Sequence, residues 1–104
     1  MRISNEEKEY IIKNFKDSFN FGKLYIFGSR IDENKKGGDL DLFIEYNRDI
    51  SFRAFYKMLK KFRKKLHILP YYKVDIIYHL PNKEIKSIHK EAKNGILLYE
   101  RSMD

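Results

Sequence analysis

Between Asn5 and Phe19 the apolar residues Ile11, Ile12, Phe15 and Phe19 recur three and four positions apart, the spacing that aligns one face of an α-helix. Ser4 and Glu7 have capping-box spacing, so a first helix is expected at about residues 5 to 18. Lys23 to Phe27 (KLYIF) is short, apolar and rich in β-formers, and it stops at Gly28-Ser29; this predicts a buried strand running into a turn. Asp39 to Tyr46 (DLDLFIEY) follows a polar connection containing two glycines and alternates strictly at its start, which predicts a second strand. From Ser51 to Leu66 the helical period returns, with Phe52, Phe55, Tyr56, Leu59, Phe62 and Leu66 as one apolar stripe. Pro70 closes that helix, Tyr72 to His79 (YKVDIIYH) reads as a third strand, and Leu80-Pro81 ends it. A last helix is expected over Asn82 to Lys93 with Gly95 at its C-terminal cap, followed by a short extended tail, Ile96 to Tyr99. The order predicts an α/β (α+β) domain, a three- or four-stranded mixed sheet with helices packed on it.

At 104 residues the chain has the size of one domain, so residues 1–104 are expected to share a single core. No apolar run approaches the length needed to cross a bilayer, and Met1 to Tyr10 is too charged for a secretory signal, so the expected location is cytoplasmic. The absence of cysteine excludes disulfides, thiolate zinc sites and Cys nucleophiles, leaving Asp, Glu, His and Ser to carry any chemistry. The net charge of +7 is concentrated: Ser51 to Leu66 holds seven cations and no acid, while the other 15 cations balance the 15 acids of the chain. Such a helix face is read first as solvated surface, next as a dock for an acidic protein, and last as a contact for nucleic acid. The aromatic residues read as core rather than stacking platforms. His67, His79 and His89 fall on different elements without ligand spacing and are expected at the surface or its boundary.

The candidate chemistry lies in the strands. A side-chain period of two puts Asp39 and Asp41 on one face of the second strand and Leu40, Leu42 and Ile44 on the other. Two carboxylates at that spacing repel, and a divalent cation is the simplest compensation. Asp75 sits among Val74, Ile76 and Ile77 in the third strand; should the two strands be neighbours, three carboxylates converge, enough for a two-metal site acting on a phosphoryl group. Gly28 lets a phosphate approach the backbone and Ser29 offers a hydroxyl beside free N–H groups. Each piece also has a plainer reading: Gly28-Ser29 as a turn with an N-cap, Gly37-Gly38 as hairpin punctuation, Asp75 as a strand residue paired with Lys73 or a helix cation.

Taken in order, FGS ending at Ser29, seven residues, then GGDLDLFIE ending at Glu45 and a third strand bearing Asp resembles the minimal nucleotidyltransferases of the DNA polymerase β superfamily. The tail IKSIHKEAKNGILLYE is similar to the end of such domains. The resemblance implies a nucleotidyltransferase fold, Asp39, Asp41 and Asp75 as ligands of two catalytic Mg²⁺ ions, Asp75 also positioning or activating the attacking hydroxyl, and Gly28, Ser29 and Arg30 holding the phosphates of ATP. It further implies the antitoxin of a two-protein system, transferring AMP to a hydroxyl, expected to be a tyrosine, of an all-helical HEPN toxin. The alternative is a binding module that neutralises its partner by contact alone. The chain departs from the pattern at Ile31, Asp32 and Glu33, where relatives often carry a small residue, a second Arg and a Gly, and at Gly38, where many have Ser.

Overall fold

The structure is a computed structural model that describes residues 3–28, 38–69 and 72–102. The elements run α1 (Asn5–Ser18), β1 (Gly22–Phe27), β2 (Gly38–Glu45), α2 (Phe52–Leu66), β3 (Tyr72–His79), α3 (Ser87–Lys93) and β4 (Ile96–Arg101). The four strands form one sheet in the order β3-β2-β1-β4, with β2 and β3 parallel and the other pairs antiparallel. This is the mixed sheet that the pattern of elements predicts, and the segment expected as an extended tail is its fourth strand.

The sheet has two unequal faces. Leu24, Ile26, Leu40, Leu42 and Ile44 point to one side, where the stripes of α1 and α2 close over them in the main core. Phe15, Phe19 and Phe62 meet there at ring separations of 5.0 to 5.8 Å, in both stacked and edge-on pairs. Ser4 caps α1 as its spacing predicts, its hydroxyl accepting from the Glu7 N–H at 3.0 Å while Glu7 accepts from the Ser4 N–H. On the other side a smaller cluster of Phe27, Phe43 and Ala92 seats α3. Among the described residues no helix is long and apolar enough to cross a membrane.

Several boundaries differ from expectation. Strand β1 starts one residue early because Gly22 pairs with Arg101, and β2 stops at Glu45, although the Tyr46 N–H still donates to the His79 carbonyl at 3.0 Å. The last helix begins at Ser87 and not at Asn82, since Asn82 adopts a left-handed φ of 65° that no helix admits. The Lys83 carbonyl is instead taken by the His79 ring, with Nε2 at 3.0 Å.

Candidate active site

β2 carries Asp39 and Asp41 on the face that also bears Phe43, the residue under α3. The parallel register puts Asp75 directly beside Asp41 and Lys73 directly beside Asp39. Neighbouring strands lie about 4.8 Å apart, so Asp41 and Asp75 start from adjacent backbone positions, with Asp39 about 6.6 Å along the same strand. Asp41 is half-buried, whereas Asp39 and Asp75 are exposed. The three carboxylates therefore share one face and one end of the β2–β3 pair. Lys73 is the positive neighbour of this group, set by a register that neither strand shows in its own sequence.

Antiparallel pairing with β1 places Phe27 opposite Asp41, and the next residue, Gly28, leaves the sheet with a left-handed φ of 75°. A Cβ at Gly28 would lie 2.6 Å from Asp41 Oδ2. Glycine is thus demanded twice, by the backbone conformation and by the carboxylate in its flank. Ser29 and Arg30, expected to hold phosphates together with Gly28, lie outside the described residues, as do Ile31, Asp32 and Glu33.

Among the described residues no three carboxylate or imidazole groups stand close enough to hold one metal ion together. The donor chemistry nonetheless fits Mg²⁺, which takes hard oxygen ligands and is commonly held by one or two carboxylates plus substrate phosphates and water. Asp39 and Asp41 on one face, with Asp75 in register beside the second, supply that oxygen set. The missing Cβ of Gly28 leaves the Asp41 carboxylate a place that any other side chain would take.

The cationic helix lies elsewhere. Phe55, Leu59, Phe62 and Leu66 of α2 pack on the face opposite the carboxylates, so the charge excess of the chain faces away from the Asp cluster. His79 and His89, which the sequence sets on separate elements, meet edge to face at 5.1 Å. His89 also stacks on Phe43 at 5.7 Å and accepts the Lys86 N–H at Nδ1, 3.1 Å away. Burial above all, then the nearby His79 and Lys86, lowers the His89 pKa, against a backbone hydrogen bond at Tyr78 that raises it.

The sheet of this order carries aspartates paired in register on its two parallel strands. The family model described as polymerase beta, nucleotidyltransferase matches residues 9–104, and the chain belongs to that family. Proteins of this kind generally use a nucleotide substrate and Mg²⁺. A crystal structure of a candidate nucleotidyltransferase from Sulfolobus solfataricus shares the fold at a TM-score of 0.54 and 24% identity, covering 91% of this chain and 78% of that one. No curated protein matches the sequence significantly.

Proposed function

We propose that the protein transfers AMP from ATP to a tyrosine hydroxyl of a partner HEPN toxin and so acts, in the cytoplasm, as its antitoxin. The observation that carries the transferase half is the register of Asp75 beside Asp41, with Asp39 on the same face, in a chain of the polymerase beta nucleotidyltransferase family. The acceptor half rests on the resemblance of Phe27-Gly28-Ser29 and Gly38-Asp39-Leu40-Asp41 to stand-alone minimal members.

Asp39 and Asp41 would hold Mg²⁺, which when bound neutralises phosphate charge and favours departure of pyrophosphate. Asp75 orients the acceptor hydroxyl and takes its proton as the oxygen attacks the α-phosphorus of ATP. One P–O bond forms to the tyrosine, the α–β anhydride bond breaks, and pyrophosphate leaves. Gly28, with no Cβ to strike Asp41, lets the backbone pass close to that carboxylate, beside which the phosphate chain would lie.

The test is mass spectrometry of the product of the adjacent reading frame after incubation with the protein, ATP and Mg²⁺. A mass increase of one or more AMP units on tyrosine is the expected result. An unmodified partner that is still neutralised, by wild type and by an Asp39→Asn/Asp41→Asn variant alike, would establish neutralisation by contact instead.

A further inference from the structure

The other strongly charged surface is on α2, across the sheet. With its buried stripe fixed by Phe55, Leu59, Phe62 and Leu66, a turn of about 100° per residue brings Arg53, Lys57, Lys60 and Lys64 into one outward row about 16 Å long. All four are exposed, and no acid interrupts Ser51 to Leu66. Lys61 flanks the row but is drawn to α1, its ammonium donating to the Asp17 carbonyl at 3.0 Å.

Phe52 and Tyr56 fit the apolar stripe by sequence, yet the structure leaves them 54% and 42% exposed. Their rings stack on each other at 5.9 Å and 29°. Neither belongs to the buried core: Phe55, fully buried between them in sequence, packs on Tyr46 and Tyr78, while Phe52 tilts against the half-buried Tyr78 at 6.4 Å. From Phe52 a cleft of about 400 Å³ continues over the end of β3, with Lys83, Lys86 and the two histidines in its wall and Glu84 as its acid.

We propose that the cation row of α2 and the Phe52–Tyr56 pair form a docking surface for single-stranded nucleic acid, phosphates along Arg53 to Lys64 and a base against the exposed rings. A uniform row of one sign suits a uniform polyanion, and rings at its end suit base stacking, which tolerates any sequence. An acidic protein is served less well. Interface aromatics act from desolvated pockets near the centre of a patch, whereas this pair stands at the end of the row beside an open cleft. A duplex would leave the rings idle. The proposal concerns the face away from Asp39, Asp41 and Asp75 and is independent of the transfer reaction.

Fluorescence anisotropy with a labelled oligouridylate of about twelve nucleotides tests it. Binding is expected to weaken with salt at a log–log slope of about −3, for four phosphates on a single strand. Phe52→Ala and Tyr56→Ala should each weaken binding by about five- to a hundredfold without changing that slope. The triple reversal Lys57→Glu/Lys60→Glu/Lys64→Glu should lower affinity and flatten the slope, while Asp39→Asn/Asp41→Asn binds as wild type. Should an alanine variant lose its folded circular dichroism, Phe52→Leu or Tyr56→Leu keeps the apolar bulk without the ring and decides the matter. No binding at about 50 mM salt would overturn the proposal. So would undiminished binding by the ring-less variants, or equal affinity for a duplex or for polyglutamate, the last of which would mark a dock for acidic protein.

Discussion

Gly28 and Asp41 occupy one space between them. A Gly28→Ala substitution forces a Cβ toward a carboxylate that can swing aside and imposes a left-handed backbone on alanine, which costs about 1 kcal/mol. Stability should fall by about that amount in urea unfolding, whereas transfer should be lost almost entirely because the displaced group is Asp41. Asp39→Asn and Asp41→Asn should separate the two properties further, abolishing transfer with the fold intact, since removing like charges relieves repulsion. An unfolded variant, or one with wild-type transfer, would contradict the role given to these carboxylates. The shared face of Asp39 and Asp41 was legible in the sequence because a strand's period of two is a local rule. The adjacency of Asp75 was only conditional, and Lys73 as the neighbour of Asp39 was invisible, because both depend on a register set by an intervening helix.

At the scale of elements, α3 departs most from its sequence. Helical spacing alone admits a start at Asn82, but the left-handed turn there and the His79 ring on the Lys83 carbonyl hold the chain off the helix until Ser87. Gly95 reads as a cap in sequence, yet Asn94 is the cap, and Gly95 serves close approach instead. A Cβ there would collide with the Ile26 carbonyl oxygen and lie 2.7 Å from Phe27 Cβ, atoms of a central strand that cannot yield as a flexible tip can. Gly95→Ala should therefore destabilise the protein by about 1–3 kcal/mol, more than Gly28→Ala, as read by thermal or urea unfolding. His89 gives α3 a pH dependence. Its folded pKa lies below the ordinary 6.5, so the unfolded chain binds the proton more readily. The contribution of neutral His89 is complete above about pH 6.5 and is lost as pH falls through the folded value. Hydrogen-exchange protection factors of residues 87–93, corrected for the intrinsic pH dependence of exchange, should fall on acidification through that window, and His89→Gln should remove the fall.

For the whole molecule, the sheet separates two jobs. One face carries the large aromatic core under α1 and α2, and the other carries the carboxylates beside a small cluster under α3. Mg²⁺ and ATP together should raise stability by about 2.7 kcal/mol at a hundredfold excess over the dissociation constant, while either alone raises it less. No thermal shift with the pair present would count against nucleotide binding altogether. The fold class was readable because element order and periodicity are properties of the chain. Exposure of Phe52 and Tyr56 was not, because a helical stripe names a face without saying how far along the helix the sheet extends beneath it.

The parallel pairing of β2 with β3 has a consequence in time. Strands β1 and β2 meet as an antiparallel pair from consecutive stretches, but β3 reaches β2 only after α2 has crossed the sheet, a non-local closure whose entropy must be met before its contacts form. A folding chain thus exposes Asp39 and Asp41 before Asp75 stands beside them. Leu59→Ala, which thins the stripe of the crossing helix, should slow refolding in stopped-flow measurements more than it speeds unfolding. The carboxylate cluster is then completed only by that later closure, and a chain interrupted before it carries two of its three acids, with no Asp75 beside Asp41.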